Sequence, residues 1–371
     1  MHKNRAMPVS AGVRRWLFSG LLGLFLAAHF PVVSQPSQPS QPTSPGEAVR
    51  LRVVGGLASV SQYQRHEEPF WTQTLGRLSA GRYTASIVPF DRAGVPGQDM
   101  LTLIRLGVVP FGTALLGLVA GQYPELSAPD LAALNPDVAT LRKTVAAFRP
   151  ALASAMRERH GAELLAVYMY PAQVVFCREP FRGLNDLAGR RTRVSSSTQS
   201  DFVVSVGGIP VLTPFAEVTA SIRSGSTDCA ITGAASGKAI GLPAVTKAIY
   251  TLPISWGLAV FGANLDAWRS LPEDLRALLL KEMPKLEAAI WEEAEHQSAF
   301  ERPCNATATC APGSLEALTV VRPSPADQIL RKRIFERQVL PGWVERCGPD
   351  CPALWDTTIG PVVGIKAPAY R

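Results

Sequence analysis

Short apolar runs alternate with amphipathic helices through most of this chain, and that alternation restricts its fold more than any other feature. VRLRVVGG (residues 49–56) reads as a strand ending in a glycine turn. Tyr63, Phe70, Trp71, Leu75 and Leu78 then recur at helical spacing, and YTASIVPF (83–90) is a second strand. QDMLTLIRLG (98–107) is a short helix stopped by Gly107, and VVPFG (108–112) is a third strand. This β-α-β-α-β order is the unit of a parallel sheet with helical crossovers. A long helix with Val138, Leu141, Val145, Phe148, Leu152 and Met156 on one stripe leads to AELLAVYMYPAQVVFC (162–177), two strand-like runs broken at Pro171. A second α/β unit follows: RTRVS and PVLTPF are strands, QSDFVVSVGG and AEVTASIRSG helices, and TDCAITGA another strand. GLAVFGA (257–263) is a strand that returns toward the first region, and a long amphipathic helix runs over 271–297. Residues 49–170 therefore read as mainly a first lobe and 171–255 as mainly a second. Residues 256–371 supply the return strand, the long helix and a C-terminal extension. Two α/β lobes joined by crossing segments enclose a cleft, which is where small ligands bind.

The chain starts differently. Lys3, Arg5, Arg14 and Arg15 precede an apolar run from Trp16 to Val33. A basic start and an apolar core of that length predict a secretory signal over residues 1–34, with an uncleaved membrane anchor as the alternative. Residues 35–48, QPSQPSQPTSPGEA, cannot bury apolar surface and read as a disordered linker. The formal charge of +7 is thus partly that of the signal, which removes most of the case for a nucleic-acid partner. Arg331, Lys332 and Arg333 sit on an expected helix as a solvated face. The six cysteines fit an exported protein: Cys304 with Cys310 and Cys347 with Cys351 are spaced for local disulfides, with cross-pairing equally open. A zinc site from those four lacks the usual ligand spacing. Cys177 and Cys229, in apolar strand-like runs, read as buried thiols.

Nothing in the sequence calls for catalysis, a metal or a cofactor. The five histidines stand without carboxylate or cysteine neighbours in a recognisable pattern, and no nucleophile elbow, phosphate loop, HExxH or dinucleotide fingerprint occurs. The chain is read as a binding protein rather than an enzyme. A secreted enzyme using the same cleft, and a binding or sensor domain of another transport system, are the rival readings.

The informative stretch is FRGLNDLAGRRTRVSSSTQSDFVVSVGGIPVLTPFAEVTASIRSGSTD (181–228). It packs Arg190, Arg191 and Arg193 around the start of a strand. Strand alternation puts Arg191 and Arg193 on one face with Thr192 opposite, so periodicity alone does not choose between them. With Leu187, Gly189, Arg191, Arg193, Gly207, Pro210, Pro214, Phe215, Glu217, Gly225 and Asp228 in that order, the stretch resembles the second lobe of the TRAP transporter solute receptors, the DctP-like extracytoplasmic binding proteins. LGRLSAGRYTASIVPFDRAGVPGQDMLTLIRLGVVPFG is similar to that family's first lobe, and LDAWRSLPEDLRALLLKEM to its helix after the second crossing.

The resemblance implies a two-lobed periplasmic-binding-protein fold with a long hinge-spanning helix, and a periplasmic receptor that passes a small organic acid to TRAP membrane permease subunits. It also implies that Arg193 holds the ligand carboxylate, for which a planar, permanently charged guanidinium is well matched. The family's second arginine falls near Gln173, which carries no charge. Phe215 matches an aromatic that packs on the ligand, and Thr232 stands where an asparagine is common. Thr113, Gly56 and the GVPG loop make the first-lobe side small, apolar and lined by backbone. Tyr63, at the start of the first helix, and Trp256, at a crossing, complete the candidate ligand-binding set. These features predict an apolar or aromatic monocarboxylate.

Overall fold

The computed structural model describes residues 49–298 and 315–371. The expected signal and linker, and the Cys304/Cys310 pair, lie outside the described residues. The strands in chain order are β1 (Val49–Gly55), β2 (Tyr83–Pro89), β3 (Phe111–Leu115), β4 (Ala162–Met169), β5 (Gln173–Cys177), β6 (Arg191–Val194), β7 (Ile209–Leu212), β8 (Cys229–Gly233), β9 (Ala248–Ser255), β10 (Leu258–Asn264) and β11 (Thr319–Val321). They form two sheets, in the orders β2-β1-β3-β10-β4 and β11-β9-β5-β8-β6-β7.

Each sheet is parallel except for one strand. β10 runs antiparallel to both β3 and β4, and β5 runs antiparallel to both β8 and β9. These two strands follow the crossings between sheets. The chain leaves β4 in the first sheet and enters β5 in the second across Tyr170–Ala172; it leaves β9 and returns as β10 across Trp256–Gly257. Each lobe therefore has in its middle a strand that arrives directly from the other, and the crossings come between strands that are buried along most of their length. The result is the two-lobed α/β fold, with one antiparallel strand per sheet in place of a wholly parallel pattern.

The helices form where the sequence places their apolar stripes and end where it places their stops. The helix Val138–His160 starts on Asp137, whose carboxylate accepts from the Thr140 amide at 2.7 Å, and ends on Gly161 at φ 55°. That left-handed conformation costs a glycine little. Leu141, Val145, Phe148, Leu152 and Met156 on its stripe are buried, each contributing about 1.5–3 kcal/mol of transfer free energy. The helix Glu273–Ser298 lies against β4. Its Trp291 Nε1 donates to the Val167 carbonyl at 2.8 Å, and its Glu287 accepts from the Val167 amide while receiving a two-pronged bond from Arg149. Among the described residues no helix is long and apolar enough to cross a membrane.

Two expectations change. Cys177 and Cys229 are not thiols: they are direct cross-strand partners of β5 and β8, with Cα atoms 4.1 Å apart, and form a disulfide. Apolar strand character hid a pairing that only the register reveals. Cys347 and Cys351, by contrast, close the local disulfide expected of them. Arg331 is not part of a solvated face, because it is 9% exposed and donates through Nη1 to the Ala133 carbonyl. The C-terminal extension is packed into the fold. β11 adds a parallel strand to β9, and Trp343 and Trp355 are fully buried with ring centroids 6.0 Å apart. Trp343 Nε1 donates to the Pro124 carbonyl at 2.8 Å, and Arg346 pairs with Asp201 on the second-lobe helix.

Candidate ligand-binding cleft

The three clustered arginines have three different fates. Arg190 reaches back to the Glu179 and Pro180 carbonyls and lies over the Phe181 ring. Arg191, the first residue of β6, makes a two-pronged ion pair with Asp228 through Nε and Nη2 at 3.0 and 2.9 Å, and its own amide donates to the same carboxylate. Hydrogen bonds from Arg191 hold the Asp228 carboxyl below its ordinary range. Arg193 has no such partner. It is 3% exposed, and its Nε and Nη1 donate to the Thr213 and Ile231 carbonyls at 2.9 and 2.8 Å. One acceptor follows directly on β7 and the other belongs to β8, the two neighbours of β6, so the guanidinium is held between them. Among the described residues, Nη2 makes no hydrogen bond and no carboxylate lies within ion-pair distance. Burial pushes the guanidinium down to about 10, still charged at neutral pH. A buried cation satisfied only by carbonyl dipoles is costly unless an anion meets it.

The end of β6 that carries Arg193 meets the first lobe. A Cβ placed on Gly117, just after β3, would lie 3.6 Å from the Ser196 Cβ, just after β6. The segments leaving the two strands are therefore in contact. Thr113 is fully buried and its hydroxyl donates to Glu67 Oε1. Glu67 Oε2 accepts from the Gly56 amide at 2.8 Å. A Cβ on Gly56 would come within 2.7 Å of the Tyr170 hydroxyl and 3.1 Å of Glu67 Oε2, which is why a glycine follows β1. Glu67 is fully buried, and burial pushes its carboxyl up to about 7 against the opposing pull of the bonds from Thr113 and Gly56.

The crossing between the lobes is tied by Asp130, which accepts from the amides of Trp256, Gly257 and Leu258 at 2.8, 2.7 and 3.2 Å. Burial raises the Asp130 carboxyl to about 7, with the three amide bonds opposing. Ala132 and Ala133, a few residues on, bond Thr198 of the second-lobe helix and the Ile254 carbonyl. This loop therefore contacts both the crossing and the second lobe.

The predicted site residues separate into groups. Arg193 and Thr232 share a face of the second sheet, since Arg193 on β6 pairs with Ala230 on β8 and Thr232 follows two residues later on the same strand. Thr232 is buried and its hydroxyl makes no bond to a described residue. Phe215 is half-buried, one turn beyond Thr213, whose carbonyl holds Arg193. Gln173 falls in the other row. Its Nε2 donates to the Pro171 carbonyl at 2.9 Å and would sit 3.3 Å from a Cβ on Gly257, so it packs the crossing. Trp256 is buried, with Nε1 donating to the Asn135 carbonyl at 3.0 Å, and it also packs the crossing. Tyr63 is buried against Gly55, and Thr113 is occupied by Glu67.

Glu67 and Tyr170 are the residues sequence reasoning missed. Glu67 falls four residues after Tyr63 and three before Phe70, inside the apolar stripe, and a carboxylate there is the signal that marks it. The helix carrying it is of π type over Gln62–Glu67 and again over Phe70–Thr74, a geometry often found at functional sites.

Residues 56–302, well over half the chain, match the family model described as bacterial extracellular solute-binding protein, family 7 (DctP). No curated protein matches the chain. Among solved structures, an extracytoplasmic solute receptor of Bordetella pertussis binding pyroglutamic acid is similar at TM-score 0.72 and 19% identity, over 84% of this chain and 99% of that one. A TRAP periplasmic solute binding protein of Desulfovibrio salexigens with bound orotic acid gives TM-score 0.72 at 15% identity, over 85% and 99%. One from Rhodoferax ferrireducens with bound malonate gives 0.68 at 17%, over 83% and 98%. At these identities the likeness is one of fold.

Proposed function

Because the chain belongs to the bacterial extracellular solute-binding proteins of family 7, we propose that it is an exported receptor that binds a small organic acid with one carboxylate and an apolar or aromatic body, and delivers it to a TRAP-type membrane permease. The observation that carries this reading is Arg193. It is a buried guanidinium with two carbonyl acceptors and, among the described residues, an unused Nη2 and no carboxylate partner, next to a strand-mate, Arg191, that has one. A ligand carboxylate would complete its fork, and charge-assisted bonds of this kind are the strong ones in a desolvated site. The single carboxylate is supported by Gln173, which faces away from Arg193 and brings no second charge. The uncharged body is supported by Phe215 near the Arg193 cradle and by the glycine lining at Gly56 and Gly117. Bound acid bridging the two lobes would favour the closed arrangement.

Isothermal titration of the purified chain with monocarboxylates, pyroglutamate and aromatic acids among them, and with malonate and succinate tests the reading. Monocarboxylates bind, and dicarboxylates bind at least about tenfold more weakly, a gap of about 1.4 kcal/mol. Tight binding of the dicarboxylates alone refutes it.

A further inference from the structure

The strand that carries Arg193 is tied, at its exit, to the crossing between the lobes. β6 ends at Val194, and the next residue, Ser195, is held by a side chain of the helix that follows, Ser197–Ser205. Gln199 Oε1 accepts from the Ser195 amide at 2.8 Å and from the Ser195 hydroxyl at 3.1 Å. Its Nε2 donates to the Ser255 hydroxyl at 2.9 Å. Ser255 is the last residue of β9, and the next three amides, of Trp256, Gly257 and Leu258, are those that Asp130 holds. One helical turn therefore joins the strand of Arg193 to the point where the chain leaves the second lobe. The same turn meets the Asp130 loop directly, because the Ala132 amide donates to the Thr198 hydroxyl at 3.3 Å.

Gln199 shares the buried face of its helix with Phe202 and Val203, where an apolar side chain would serve packing alone. A buried amide is costly there unless its polar ends are bonded, and both are. What the amide adds is reach. In the sheet order β9-β5-β8-β6, two strands stand between β9 and β6. The ladder connects Ser195 and Ser255 only through those two strands, and Gln199 connects them in one step across the carboxyl ends.

We propose that Gln199 is a positioning residue for ligand binding: it acts through Ser195 and Ser255 to fix the anchor strand on the crossing about which the lobes close. This rests on the reading of Arg193 as the carboxylate anchor. A ligand drives closure only by the free energy it gains in the closed state. Slack between the anchor and the crossing spends part of that gain on ordering the second lobe, and an anchor already fixed there does not. The two ends of the glutamine separate this role from a local one. Gripping Ser195 keeps the exit of β6 in shape, whereas reaching Ser255 links it to the crossing. Ser255→Ala removes only the second, because the Ser255 hydroxyl makes no other bond to a described residue.

The test is isothermal titration of the monocarboxylates pyroglutamate and benzoate into the full chain, for wild type, Ser255→Ala, Gln199→Met, the double variant and Arg193→Met. Ser255→Ala weakens binding about fivefold, and Gln199→Met about tenfold or more because it also strands the Ser195 amide. The double variant binds within about twofold of Gln199→Met alone, since both substitutions cut one link and their effects do not add. Hydrogen exchange at saturating acid reads the link itself. Bound acid slows exchange of the Trp256–Leu258 amides about tenfold in wild type and less than about twofold in Ser255→Ala. Wild-type affinity in Ser255→Ala, losses that multiply in the double variant, or the same slowing of exchange in both proteins overturns the proposal. The Ser255→Ala measurements stand by themselves if Gln199→Met does not fold. Equal binding by wild type and Arg193→Met, or binding of neither acid by the wild type, instead overturns the anchor reading beneath it.

Discussion

The two lobes each bury an ionisable side chain, and they do so with opposite chemistry. The second lobe holds Arg193 between two carbonyls, and the first holds Glu67 between an amide and a hydroxyl. Among the described residues neither has an opposite charge as partner. The guanidinium stays charged because even burial brings it down only to about 10, while Glu67, raised to about 7, exchanges its proton at working pH. The second lobe thus offers a fixed charge and the first an adjustable one.

Four variants probe the two lobes and the crossing between them. The second lobe owes part of its rigidity to the Cys177–Cys229 disulfide between β5 and β8. Replacing both cysteines by alanine lowers stability by about 2–4 kcal/mol in denaturant titration, with monocarboxylate selectivity retained.

The first lobe shows its adjustable charge in stability against pH. The folded Glu67 value, about 7, lies above the ordinary 4.5. Its contribution is present in full below about pH 4.5 and is lost as pH rises through 7. Relative to wild type, Glu67→Gln therefore gains on the order of 3 kcal/mol between those limits, read as a growing difference in unfolding midpoint. No pH-dependent difference would mean that Glu67 is not buried as described.

The crossing that joins the lobes depends on Asp130. Removing it by Asp130→Ala strands the Trp256, Gly257 and Leu258 amides and costs about 1–3 kcal/mol of stability. Smallest of all is Arg191→Gln. Its pair with Asp228 is 44% and 26% exposed, so stability changes by less than about 1 kcal/mol and acid binding stays within about twofold in titration.

Much of the architecture was legible because each lobe alternates strands and helices with clean glycine stops, as at Gly107, Gly161 and Gly225, each at positive φ. What escaped was long-range. The stretch AIYTLPIS, which forms β9, carries Pro253 and pairs irregularly with β5, so it has no simple strand pattern. The Cys177–Cys229 bond requires knowing that β5 and β8 are antiparallel neighbours. Arg331 looked solvated within a basic triplet, and only the packing of the tail buries it. At the site, chemistry singled out an arginine on β6, but Arg191 and Arg193 share a face; it is Asp228, 37 residues on, that distinguishes them. Glu67 was readable in principle as a carboxylate in an apolar stripe, but its partners Gly56 and Thr113 come together only when β1 and β3 pair.

Titration of the same monocarboxylate into wild type, Arg193→Met and Arg191→Gln tests the carboxylate anchor most directly. If Arg193 is the anchor, Arg193→Met weakens binding by at least about a hundredfold, the cost of leaving a buried carboxylate unpaired, while remaining folded, since it removes an uncompensated buried charge. Arg191→Gln binds as wild type does. Equal losses in the two variants, or wild-type affinity in Arg193→Met, would contradict the account.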